Sequence, residues 1–166
     1  MPAVPVRLAT SDDRPVLERL WLMFRHDMSE FRGVLPRPDG TFRSERLLTA
    51  FDDADWEPYL LVSNEYPAGL ALVRGLTGQT RILSSFFVVR GARRAGLGLR
   101  AVQDLVARHP GRWEVAFQDA DAAAAASFWR RVATEIAGGA WDEERRPVPD
   151  QPGLPPDTWI SFGVSS

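Results

Sequence analysis

The residues best equipped for chemistry are Arg93-Arg94-Ala95-Gly96-Leu97-Gly98, which stand shortly after an apolar run, Phe86-Phe87-Val88-Val89. The run is made of β-formers without an interior charge, the pattern of a strand buried on both faces. Past the glycines, Leu99, Val102, Leu105 and Val106 recur at helical spacing until His109-Pro110-Gly111 stops the helix. The order is strand, basic glycine-rich turn, helix. The first N–H groups of a helix lack internal partners and sit at the positive end of its dipole. Glycines at 96 and 98 keep Cβ atoms away from those amides, and Arg93 and Arg94 add positive charge. A phosphate or diphosphate suits such a turn.

Three ligand classes use turns of this kind. A Walker-type loop needs Gly-Lys followed by Ser or Thr, whereas Gly98 is followed by Leu99 and Arg100, which excludes it. A dinucleotide fingerprint fits Gly96-Leu97-Gly98-Leu99-Arg100-Ala101 as G-x-G-x-x-A, with Asp119 near the distance of a ribose-binding acid. Its context is unfavourable: five residues separate Arg90 from Gly96 where a tight turn is wanted, and too little chain follows for a doubly wound sheet. The third class is coenzyme A. Here Arg93 to Gly98 match the R/Q-x-x-G-x-G/A signature of the GNAT superfamily of N-acetyltransferases, directly after an apolar strand. Together with Pro110-Gly111-Arg112-Trp113-Glu114-Val115 and Phe128-Trp129-Arg130-Arg131-Val132, the turn resembles a bacterial subgroup of predicted acetyltransferases without an assigned substrate. The resemblance runs from about Val6 to Phe162 and is densest from Phe86 to Val132.

That resemblance implies an α/β fold in a single domain over residues 1–166. Its sheet would be mixed and mostly antiparallel, of about six to seven strands, with about four flanking helices and one central parallel pair. It implies acetyl-CoA as co-substrate, bound by Phe87, Val88, Val89, Arg93, Arg94, Ala95, Gly96, Leu97 and Gly98, with Phe128 and Trp129 contributing from the last long helix. The acceptor would be a primary amine of a small molecule or peptide. Asp27, Glu30 and Phe31, where the first two helices join, correspond to the family's acceptor wall. The usual catalytic groups are missing. Trp129 stands where the family has a Tyr acid, and indole does not give up a proton at neutral pH. Asp121 or Ala122 replaces an Asn, and Ser84 and Ser85 replace a carboxylate before the apolar run. Asp119, Glu114 and Asp27 are the fallback bases, and neither Tyr59 nor Tyr66 is a candidate. An acyl-CoA sensor without catalysis is therefore the alternative to the enzyme, and a homodimer is compatible with both.

The remaining chain must supply the elements that hold this turn. Val4 to Ala9 reads as a first strand. Thr10 or Ser11 then caps a helix whose Leu17, Leu20, Trp21, Phe24 and Met28 form one apolar face. Ser44 to Phe51 reads as a second helix, and Tyr59–Ser63, Ala68–Arg74 and Thr80–Arg90 as a three-strand meander. Trp113, Val115 and Phe117 alternate in a further strand that can lie parallel to the one ending at Arg90. A helix follows from Ala122, and Gly138-Gly139 stops it. Ala140 to Glu143 and Thr158 to Gly163 read as closing strands around a connection with five prolines.

Composition bounds the rest. A chain of 166 residues with 45% hydrophobic residues, six Trp and nine Phe can bury a single core. A net charge of −2 provides no global field for nucleic acid or anionic membrane, and neither is expected as a partner. Arg90, Arg93, Arg94 and Arg100 form only a local patch. With no Cys, disulfides and thiol catalysis are excluded, and His26 lacks companions at a ligand spacing, so no metal is expected. All 20 basic residues are Arg, the signature of a GC-rich coding bias. The N-terminus carries no signal-peptide pattern, which makes a cytoplasmic location the expectation.

Overall fold

Strands rich in Leu, Val and Ala, bounded by short turns, join one seven-stranded sheet, and helices with a single apolar face cover it on both sides. The computed structural model describes residues 5–117 and 123–166, without the side chains of Arg94, Ala95 and Ala123. In chain order the elements are β1 (Val6–Leu8), α1 (Arg14–Arg32), α2 (Glu45–Asp52), β2 (Trp56–Ser63), β3 (Tyr66–Arg74), β4 (Thr80–Val88), α3 (Leu97–Ala107), β5 (Gly111–Phe117), α4 (Ala123–Ala137), β6 (Trp141–Arg146) and β7 (Asp157–Val164). The strands lie in the order β1-β2-β3-β4-β5-β7-β6. Only β4 and β5 run parallel, joined through α3; every other neighbouring pair is antiparallel.

Two apolar layers hold the helices. On one face Leu17, Leu20 and Trp21 of α1 and Leu47 and Ala50 of α2 pack on Leu60, Leu70, Leu72 and Phe87. On the other, Val102 and Leu105 of α3 and Trp129 and Val132 of α4 pack on Ala71, Trp113, Val115 and Ile160. Each fully buried Leu, Val or Ile contributes roughly 1.5–3 kcal/mol. Local signals set the helix ends. The Asp13 carboxylate accepts a 2.9 Å hydrogen bond from the Thr10 N–H and pairs with Arg7 at 2.7 Å, capping the 3-10 turn Ser11–Asp13 that leads into α1. Gly33, at φ +63°, ends it in a left-handed cap.

Of the boundaries that differ from the sequence expectation, three are instructive. The strand read as far as Arg90 ends at Val88, because Arg90–Ala95 winds into a 3-10 segment. The strand expected from Tyr59 starts at Trp56. Pro58 is accommodated because β1 reaches only to the Leu8–Tyr59 pair, so no β1 ladder partner needs the N–H that proline lacks. The strand expected to stop at Glu143 continues to Arg146. Its run of charged residues hides it from a hydrophobic pattern, yet suits an edge strand that pairs only with β7. No described helix is long and apolar enough to cross a membrane.

Candidate functional site

The basic turn joins the end of β4 to the start of α3. Gly96 has φ +73°, which an L side chain rarely adopts, and a Cβ there would point into open space. The first helical hydrogen bond runs from the Arg100 N–H to the Gly96 carbonyl at 3.2 Å. The N–H groups of Leu97, Gly98 and Leu99 therefore precede the ladder. Gly98 has a different role. It is buried, and a Cβ would lie 3.1 and 3.2 Å from Cε1 and Cζ of Phe128. The missing side chain lets Phe128 close down on the first turn of α3.

Asp27 of α1 fixes the turn from the other side. Its carboxylate accepts hydrogen bonds from Arg90 Nη2 and Arg93 Nη2, both at 2.7 Å. Arg93 also donates from Nε to the Val88 carbonyl at 2.8 Å, and its guanidinium lies over the Phe87 ring. Burial pushes the Asp27 pKa upward, but the two arginines outweigh it and hold the carboxyl below its usual range. A carboxylate held this way is an anchor for the turn and has little appetite for a proton.

Below the turn, the parallel strands part. Pairing runs from Thr80–Arg112 to Leu83–Val115 and stops. Beyond it β5 stays with β7 through Ala116–Trp159 and Phe117–Thr158, while β4 stays with β3 through Gly69–Val88. A register shift makes Ser84 an extra residue between the Leu83–Val73 and Ser85–Leu72 pairs. The Val89 N–H donates to Ala68 O of the β3 side at 2.8 Å. Strand alternation then turns the Phe87 N–H to β3 also, and the N–H groups of Phe86 and Val88 toward the gap. Of Phe87, Val88 and Val89, only Val88 points an amide there, and Phe86 joins it. The Ser85 Oγ is buried without a hydrogen-bond partner among the described residues.

A cavity of about 440 Å³ opens at this parting, between α1 and the connection that precedes β7. Ser84 of β4 and Ala116 and Phe117 of β5 line it. From α1 it receives Phe24, Arg25, Met28, Ser29 and Arg32, whereas Glu30 and Phe31 are exposed and do not line it. Arg46, Arg74 and Asp157 complete its polar wall. Asp157, the only carboxylate among the described lining residues, opens β7 beside Thr158, the register partner of Phe117. Neither it nor Arg46 belongs to a local motif. Sheet register brings Asp157 to the site, and the docking of α2 brings Arg46.

The other expected residues are placed as follows. Trp129 is 7% exposed and packs edge-on to Phe86 and Phe128, at centroid distances of 5.4 and 4.9 Å. Phe128 stacks on Phe86 at 6.1 Å. Asp119, Asp121 and Ala122 lie outside the described residues. Burial pushes the Glu114 pKa upward, yet hydrogen bonds from Arg146 at 2.6 Å and Ser161 Oγ at 3.0 Å hold it below its usual range. Tyr59 is buried and hydrogen-bonded to Glu57 and His109, and Tyr66 is exposed. No group of three or more His, Asp or Glu fit for a metal occurs among the described residues.

No protein-family model matches the chain, and no curated protein sequence matches it. Solved structures do. An acetyltransferase of the GNAT family from Staphylococcus aureus superposes with a TM-score of 0.65 at 14% identity, covering 98% of this chain and 100% of its own. An aminoglycoside 6'-acetyltransferase gives 0.67 at 15% identity, with 97% of each chain covered. The ribosomal L7/L12 α-N-protein acetyltransferase RimL, solved with coenzyme A, gives 0.68 at 12% identity, covering 99% of this chain and 97% of its own. The fold of this chain is that of the GNAT acetyltransferases.

Proposed function

We propose that the chain is an acetyl-CoA-dependent N-acetyltransferase that moves the acetyl group directly to a primary amine. The single observation that carries this reading is the parting of β4 from β5 immediately ahead of a basic helix N-terminus, with a cavity beneath the gap. The donor set fits coenzyme A. The leading amides of α3 and the basic residues of the turn, Arg93 and Arg94, suit a diphosphate, and Gly96 leaves their approach open. Bound in this way, acetyl-CoA supplies an acyl group activated as a thioester.

The chain's own residues would do the rest. Amides of Phe86 and Val88, free of a β5 partner and aimed into the gap, stabilise negative charge on a carbonyl oxygen there. Asp27 positions Arg90 and Arg93, and Phe87, Val89, Leu97, Phe128 and Trp129 shape the walls. Asp157 is the carboxylate placed to take the proton that the amine loses. In this assignment Asp27 serves as an anchor, and Trp129 contributes shape without donating a proton. Such an enzyme would work in the cytoplasm, where acetyl-CoA is supplied.

The test is thermal unfolding with and without acetyl-CoA, followed by free-thiol release across a panel of amines. A raised melting temperature with amine-dependent thiol release supports the enzyme. A raised melting temperature without turnover of any amine would leave an acyl-CoA sensor. Stabilisation by NADPH but not by acetyl-CoA would overturn the assignment.

A further inference from the structure

The cavity beneath the strand gap has an unbalanced charge. Arg25, Arg32, Arg46 and Arg74 line it, against one carboxylate, Asp157. None of the four makes an ion pair among the described residues. Some arginines elsewhere are matched, Arg7 with Asp13, Arg90 and Arg93 with Asp27, Arg146 with Glu114, whereas Arg19, Arg37, Arg81, Arg100 and Arg112 make no ion pair among the described residues but do not line this cavity. A coding bias toward Arg explains how many there are, and even that several stay unpaired, but it does not explain why four converge on a single cavity.

The four are also close enough to repel. Desolvation first, then Arg32, Arg25 and Arg74, lower the pKa of Arg46, whose side chain nonetheless stays exposed, and desolvation with Arg32 and Arg43 lowers that of Arg25 against an opposing pull from Glu45. Glu45, beside Arg46 on α2, is paired with Arg43 at 3.1 Å. Like charges gathered in a partly enclosed space cost free energy that a bound anion recovers. Guanidinium forks match the oxygens of carboxylates and phosphates. The anion is not the diphosphate of the coenzyme, because no described side chain from Arg90 to Gly98 lines this cavity.

We infer that the acceptor is a small amine carrying a negative charge, a carboxylate or a phosphate, held by Arg25, Arg32, Arg46 and Arg74 while its amine faces Asp157 and the gap at Ser84. This deepens the acyl-transfer reading and rests on it. Between the two sources of charge, the shared chemistry is an oxyanion that accepts paired N–H donors.

The experiment compares matched amines at saturating acetyl-CoA: phosphoethanolamine against ethanolamine, and β-alanine against β-alaninamide, with spermidine as the cationic arm. The anionic member of at least one pair is expected to show a kcat/KM roughly tenfold or more above its neutral partner, since charge-assisted hydrogen bonds are gained. The pair that shows it separates phosphate from carboxylate. Arg46→Gln and Arg74→Gln should each erase most of that advantage through KM, and leave the acetyl-CoA melting shift in place. Equal rates for charged and neutral members, preference for spermidine, or an advantage indifferent to both substitutions would overturn the inference. Should acetyl-CoA fail to bind at all, the acyl-transfer reading falls separately. Calorimetry of phosphoethanolamine and β-alanine on the protein alone then decides the cavity. Binding abolished by Arg46→Gln and Arg74→Gln keeps the anion site, and absence of binding removes it.

Discussion

Replacing Gly98 by Ala tests why the second glycine of the turn is there. An added methyl would sit 3.1 and 3.2 Å from two ring carbons of Phe128 and 3.8 Å from Val88 Cγ2. Ordinary carbon contacts are about 3.5–4.0 Å, so the ring must retreat by a few tenths of an ångström. Overpacking of this kind costs roughly 1–3 kcal/mol, and the better helix propensity of Ala returns up to about 1 kcal/mol. Gly98→Ala alone should therefore lose roughly 0–2 kcal/mol. In a Phe128→Leu background the ring atoms are gone and the same substitution should stabilise by up to about 1 kcal/mol, a coupling of roughly 1–3 kcal/mol. Urea unfolding of the four proteins in one buffer measures it. Acetyl-CoA affinity supplies a second readout: in the Phe128→Leu background, adding Gly98→Ala should change it by no more than about twofold. Additive stabilities, or loss of acetyl-CoA binding from Gly98→Ala in both backgrounds, would show that the glycine serves ligand access and that the packing argument is mistaken.

Three further outcomes are expected. Gly69→Ala would put a Cβ 2.0 Å from the Phe87 carbonyl oxygen, so it should force β3 from β4 and lower stability by roughly 3 kcal/mol in a urea titration. Ser85→Ala removes a buried hydroxyl without a partner among the described residues; it should hold or raise the melting point, and a clear loss of stability would contradict that placement. Asp27→Asn should loosen the turn and destabilise at neutral pH. The folded-state pKa of Asp27 is depressed, so the carboxylate's contribution is present above the unfolded value and lost as pH falls through the folded one. The difference between wild type and Asp27→Asn should thus shrink below about pH 4, and also at high salt, in a series of thermal melts.

Much of the architecture could be read from the chain because local signals agreed with the tertiary result. The alternation Trp113-Val115-Phe117, the apolar run before Val88 and the helical stripe from Leu99 to Val106 fixed element type and order. Gly96 and Gly98 read alike in the sequence, as residues that leave room for an anion. Open space beside Gly96 suits that role, whereas the missing Cβ of Gly98 makes room for Phe128, which lies on a helix that sequence spacing cannot dock. The edge strand Trp141–Arg146 was legible only as far as Glu143, since an edge tolerates charge on both faces and the rest shows no hydrophobic pattern. The family resemblance implies that Asp27 belongs to the acceptor wall, and it also stands as a fallback base. Its two arginine partners, 63 and 66 residues away, give it another role. The cavity wall was the least legible part. Arg46, Arg74 and Asp157 come from three separate elements, and only sheet register with helix docking brings them together.

The central claim, that the leading amides of α3 and the strand gap beneath them receive a thioester coenzyme, is tested most directly by backbone amide chemical shifts during an acetyl-CoA titration. Saturable one-to-one shifts at Gly96, Leu97, Gly98 and Leu99, accompanied by Phe86 and Val88, are the predicted result. Saturation that leaves those amides unmoved while shifting others would contradict it.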